Sequence, residues 1–164
     1  MKKILSAVAL AAACGVASAQ GYAGALIGMT EYTEDCPVAC DKSDTGFKIY
    51  GGYEVMPNLS VEVAYTDFGT LKFNAGGSIE GYAVSAVAAY RYAFTNELSG
   101  VGRLGLGYFS QNGKGIPTED DEFGLYAGLG IEYAINADFK VVGAFDLAKD
   151  GDVHIFGIGA QMGF

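Results

Sequence analysis

Residues 45–55, TGFKIYGGYEV, alternate with a period of two: Phe47, Ile49, Tyr53 and Val55 share one parity with Gly51, and Lys48, Tyr50 and Glu54 share the other. This is the pattern of a strand with one apolar and one polar face. In a soluble sheet the apolar face turns inward and the lysine meets water. In a transmembrane barrel the apolar face meets lipid and the lysine points into the barrel. The same choice recurs along the chain, because strand character returns at 21–30, 59–66, 81–92, 98–109, 122–133, 139–147 and 153–164. The cleanest case is LSVEVAYT at 59–66, where Leu59, Val61, Val63 and Tyr65 oppose Ser60, Glu62, Ala64 and Thr66.

The connections between these eight segments alternate in length. Long polar or Gly-rich stretches at 31–44, 67–79 and 110–121 alternate with tight turns at Met56-Pro57-Asn58, Phe94-Thr95-Asn96 and Asn136-Ala137-Asp138, and 148–152 forms a modest last link. Outer-membrane barrels have short periplasmic turns and longer outer loops. A chain exported into the periplasm places its first, third, fifth and seventh connections outside, which here are the three long ones and the last.

The N-terminus supplies the export. MKKILSAVALAAACGVASA has Lys2 and Lys3, an apolar run from Ile4 to Ala13, and small residues at Ala17 and Ala19. This reads as a signal peptide, residues 1–19, cleaved after Ala19, leaving residues 20–164 as one domain. Cys14 also suggests a lipoprotein signal, but Ala11 stands where such signals carry a larger aliphatic residue. The mature chain keeps eight basic and nineteen acidic residues, which argues against nucleic acid as a partner. After residue 20 no apolar run approaches the ~18 residues of a membrane helix, so insertion would use strands.

Three features turn the apolar faces toward lipid. The last segment ends with Phe156, Ile158, Ala160, Met162 and Phe164 on one parity. Tyr22, Tyr53, Tyr65, Tyr90, Tyr92, Tyr108, Tyr133 and Phe139 lie near strand ends, where interfacial aromatic girdles sit. Charged residues within strands fall mainly on the parity opposite the apolar stripe: Lys48, Glu54, Glu62, Arg91, Arg103, Glu132, Lys140 and Asp146. These four basic and four acidic groups are expected to pair inside, and Gly105, Gly107, Gly128 and Gly130 share the inward parity. The expected fold is an all-β, eight-stranded antiparallel up-and-down transmembrane β-barrel. Its interior is just wide enough for side chains, so no wide pore is expected.

The run TGFKIYGGYEVMPNLSVEVAYTDFG, the later GLGIEY and the closing GIGAQMGF resemble the OmpA-like eight-stranded outer-membrane barrel family. The resemblance covers nearly the whole mature chain. It implies that Lys48, Glu62, Arg91, Arg103 and Glu132 belong to an interior ion-pair network. It also implies that Phe164 is the end signal read by the barrel assembly machinery. Full-length OmpA proteins carry a peptidoglycan-binding domain after the barrel, whereas this chain stops at Phe164. It is therefore more similar to the stand-alone barrels of the OmpX or opacity-protein type, and cell-wall tethering is not implied.

Other motifs carry less. Gly100, Gly102 and Gly105 satisfy GxGxxG, but inside a strand, where no helix N-terminus can receive a pyrophosphate. Asp41 to Gly46 begins like a calcium loop, yet the twelfth position is Gly52. Cys36 and Cys40 lack further metal ligands and read as a disulfide stiffening the first outer loop. His154 is the only histidine, on the parity of Phe156 and with no serine in its strand, so it reads as an interfacial residue without a partner rather than half of a lipid A-modifying site. Glu31, Glu34, Asp35, Asp41 and Asp44 face only Lys42 in the first loop, and Glu119, Asp120 and Asp121 face Lys114 in the third.

The resulting expectation is a non-enzymatic, monomeric integral protein of the bacterial outer membrane, without cofactor, metal or catalytic residues. Its role would be structural or in surface interaction, in envelope integrity or adhesion. Its partners would be outer-membrane lipid and lipopolysaccharide, and an extracellular protein or divalent cations at the acidic loops. The alternative is an exported soluble or lipid-anchored lipocalin-like barrel holding a small apolar ligand.

Overall fold

A computed structural model describes residues 21–32, 40–41, 43–73, 78–114, 119–148 and 153–164. The expected signal peptide lies outside the described residues, as does Cys36 of the expected disulfide. Eight long strands form the wall: β1 Gly21–Tyr32, β2 Ser43–Met56, β3 Leu59–Phe73, β4 Ser78–Ala93, β5 Leu98–Lys114, β6 Glu119–Ala134, β7 Phe139–Ala148 and β8 Val153–Gly163. Each pairs antiparallel with its sequence neighbours, and β1 pairs with β8, so the sheet closes. The pair Cys40–Asp41 adds a short ladder against Lys72 and Phe73 at the edge of β3.

Closure fixes the tilt. Gly21 of β1 is opposite Tyr53, and the ladder continues through Val61, Ala88, Leu104, Ala127, Leu147 and His154 to return to β1 at Glu31, ten residues further on. With eight strands this stagger tilts them by about 40°. The three tight turns lie at one end of the barrel, called here the turn end. Asn58 takes the left-handed conformation (φ 68°), which asparagine tolerates. Thr95 Oγ1 accepts from the amides of Glu97 and Leu98, and Asn136 Oδ1 from those of Asp138 and Phe139.

Two strand pairs run beyond the sequence expectation. The ladders β3–β4 and β5–β6 continue through residues expected in the connections 67–79 and 110–121, reaching Phe73, Ser78, Lys114 and Glu119. A bulge between Asp67 and Thr70 carries β3 past the polar step. Gly69 sits at φ 77°, its amide donates to Asp67 Oδ1, and Thr70 N donates to Asp44 Oδ2 at 2.6 Å. Polarity there marks the level at which the strand leaves lipid, and the hydrogen-bonded ladder extends past it.

The apolar parity faces outward. Phe47, Ile49, Tyr53 and Val55 are exposed while Lys48 and Tyr50 are buried, and Phe156, Ile158, Met162 and Phe164 are exposed on β8. Aromatic rings gather near both ends. Phe47, Tyr65 and Tyr82 form a series with centroids 6.1 and 5.8 Å apart toward the loop end, and Tyr92 meets Phe94 at 5.4 Å by the turns. Along β6 the outward stripe spans ten residue steps from Phe123 to Tyr133, an apolar band about 25 Å tall at this tilt.

Candidate functional site

The barrel interior is layered. Toward the loop end Phe68, Val87, Phe109, Tyr126, Val153 and Ile155 form a buried apolar cluster. Below it Lys48 Nζ donates to Asp146 Oδ2 at 2.7 Å, both side chains being almost fully enclosed. Further toward the turns, Arg103 Nε donates to Glu62 Oε2 at 2.7 Å. Arg91 connects two carboxylates, donating from Nη2 to Glu62 Oε1 (3.1 Å) and from Nε to both oxygens of Glu132 (3.1 and 3.2 Å). Its Nη1 reaches Ser60 Oγ at 2.6 Å. Lys140 completes the chain at the mouth, 2.9 Å from Glu132 Oε2 and the most exposed of these side chains at 30%.

Arginine suits the central positions because its planar fork donates in several fixed directions at once and stays charged. In a narrow, enclosed interior each carboxylate needs such donors. A buried charge stripped of its partner costs about 3–5 kcal/mol.

Aromatic residues and glycines shape the surroundings. Tyr22 OH donates to Glu62 Oε1 at 2.7 Å, and Tyr50 OH to Gln161 Oε1 at 3.1 Å. The Arg91 guanidinium lies 4.4 Å from the Tyr22 ring centroid, and Lys48 Nζ 5.1 Å from that of Tyr126, both within cation–π range. Each of the two tyrosines lies over a glycine on the paired strand, Tyr22 opposite Gly52 and Tyr50 opposite Gly24, where a Cβ would strike the ring. Gly128, opposite Asp146, does the same for the carboxylate. Gly128→Ala is therefore expected to push Asp146 off Lys48 and destabilise the barrel by about 1–3 kcal/mol. The check is the temperature at which the folded band converts to the unfolded one on an SDS gel.

Seven of the eight charged residues expected inside meet in these contacts. Glu54 does not: it is exposed at the turn end, where a register shift between Glu54 and Met56 ends the ladder, and its Oε1 accepts from Asn58 N at 3.3 Å. Inward parity there opens into water. Tyr22, expected in the girdle, is buried in the interior; nearness to a strand end misplaced it, and its shared parity with Leu26 carries the correct signal. Tyr50 and Ser60 share the inward parity of Lys48 and Glu62, but the sequence assigns them no partner, and it does not single out Tyr126 or Gln161. His154 does face outward, but it has a partner. Its Nε2 lies 3.3 Å from Glu31 Oε2, because closure of the barrel sets β8 against β1 with these two residues opposite each other. Phe164 ends the outward stripe of β8, its backbone exchanging hydrogen bonds with Gly21.

The geometry matches known proteins. A family model described as the outer membrane protein beta-barrel domain covers residues 4–164. Outer membrane protein A of Salmonella typhi is 30% identical over 160 residues, spanning 84% of this chain but 45% of that protein, so the chain covers less than half of this relative. Among solved structures, the attachment invasion locus protein Ail of Yersinia pestis, in complex with the heparin analogue sucrose octasulfate, superposes with a TM-score of 0.60 at 20% identity, over 88% of this chain and 99% of Ail. The N-terminal barrel of Pseudomonas aeruginosa OprF gives 0.63 at 13% identity over 88% and 98%. Neisserial surface protein A gives 0.62 at 15% over 90% and 98%. Apolar side chains outside and charges inside are the reverse of a lipocalin-like barrel with an apolar cavity, and that alternative is set aside. The chain belongs to the outer membrane protein β-barrel domain family and is an integral eight-stranded barrel of the bacterial outer membrane.

Proposed function

We propose that this barrel is a non-enzymatic envelope protein: a closed, ion-pair-packed scaffold that holds an acidic surface outside the cell for a cationic partner. The observation that carries the reading is the division of charge. Inside, basic and acidic groups neutralise one another. At the loop end Glu31, Glu80, Asp121 and Glu122 are exposed, and the first and third loops add further acids in sequence. The first and third loops carry eight acids against Lys42 and Lys114, and such a net negative surface attracts opposite charge over roughly a Debye length. The non-enzymatic part rests on His154, whose outward-facing ring meets Glu31; Ser43, exposed in the same row, is separated from it by the width of β1, and Ser60, Ser85 and Ser110 are buried on the inner side of the wall.

Ail was solved with a sulfated polyanion; the acidic rim here favours the opposite class, divalent cations or a basic protein surface. With the barrel in lipid nanodiscs, a lysine-rich peptide is expected to bind with an affinity that falls steeply with added salt. Replacing Glu31, Glu80, Asp121 and Glu122 by their amides weakens it, and sucrose octasulfate binds poorly. Octasulfate binding as tightly as the peptide would reverse the assignment of partner.

A further inference from the structure

The outer wall carries an apolar groove of about 550 Å³ across β3 to β7, within the ~300–1,000 Å³ of sites that enclose small molecules. Its floor is Ala88, Gly102 and Ala127; its walls are Tyr90, Leu129 and Phe145. The register explains the hollow. Gly102 is paired between Tyr90 and Leu129, and the small Ala88 and Ala127 flank Leu104 in the adjacent row, so missing side chains cluster around Gly102. A Cβ at Gly102 would meet no atom within 4 Å.

The geometry points to a phospholipid acyl chain of the periplasmic leaflet as the occupant. The groove lies in the apolar band, where the surrounding medium is hydrocarbon. Its lower end is at Leu59 and Tyr90, directly beside the Met56–Asn58 turn, which is the level of that leaflet's headgroups. On β5 and β6 its other end is closed by Leu106 and Leu125, which are exposed and stand one register step further out. A chain can therefore enter from the periplasmic side. A second barrel fits less well: Leu104 and Leu129, 59% and 69% exposed, stand proud of the floor and hold a flat wall away from it. A stable protein interface would need about 800 Å² of matched surface on each side. A single flexible chain is thin enough to pass between them.

The test uses the full barrel in vesicles containing a phospholipid with a photoreactive diazirine midway along one acyl chain. Labelling is expected to be several-fold higher on peptides carrying Ala88, Gly102 and Ala127 than on those carrying Ile27 and Ile158 on the opposite wall. Gly102→Leu fills the hollow with a side chain for which there is space. It should remove that excess while leaving the heat-induced gel shift unchanged. Even labelling around the barrel, or an excess that survives Gly102→Leu, overturns the proposal. So does a wild-type dimer in detergent that Gly102→Leu dissociates, since the groove would then hold a second copy.

Discussion

Glu62→Ala is expected to destabilise the barrel by about 3–5 kcal/mol, the largest effect of any single substitution in the interior. Glu62 is fully buried and accepts from Arg103 Nε, Arg91 Nη2 and the Tyr22 hydroxyl. Removing it leaves the Arg103 guanidinium with no carboxylate within salt-bridge distance among the described residues, only the Tyr50 ring at 5.7 Å. Arg91 keeps Glu132 and loses less. Glu62→Gln, which retains an acceptor oxygen but no charge, should fall between the alanine variant and the wild type. Pairing Glu62→Leu with Arg103→Met should recover much of the loss, because replacing a buried pair by apolar groups of similar volume is often neutral or stabilising. The measurement is a double-mutant cycle in detergent micelles, following the heat-dependent change in gel mobility. If Glu62→Ala and Arg103→Ala each unfold at the wild-type temperature, the charges are not paired in an enclosed interior.

The alternation of residues 45–55 and 59–66 made the wall legible in sequence. A period of two records which side chains share a face, and the hydrophobicity of that face reports the medium outside it. The tight turns expected from the alternating connection lengths do gather at one end of the barrel. Less legible was anything set by closure. Which strand meets β1 depends on a stagger accumulated over eight ladders, so neither the Glu31–His154 pair nor the Lys48–Asp146 pair, 98 residues apart, can be read from local spacing. Parity also failed where the wall ends. Glu54 has inward parity but sits at the mouth, and polar residues after Asp67 are strand because the ladder outlasts the lipid. The glycines were legible as inward filler, but not as the individual hollows that receive Tyr22, Tyr50 and Asp146. That role needs the register.

Leu129→Arg provides the corresponding test of the outer face. Leu129 is 69% exposed, on the outward parity of β6 and midway between the aromatic levels of Phe123 and Tyr133. In a water-soluble barrel, arginine at such a site would be harmless and would improve solubility. At the middle of a bilayer it is expected to cost about 2–4 kcal/mol, falling to about 0–1 kcal/mol near the interface. Thr45→Arg supplies the depth control. Thr45 is also outward and exposed, but lies one step beyond Phe47 toward the loops, where a long side chain can carry its charge into water. Urea unfolding in phospholipid vesicles can be followed by tyrosine fluorescence, since the chain has 11 tyrosines and no tryptophan. A large loss for Leu129→Arg beside a small one for Thr45→Arg means that the apolar stripe beginning in TGFKIYGGYEV faces hydrocarbon. Equal small losses at both depths would mean that it faces water, and the ion pairs within would then have no membrane to explain why they are enclosed.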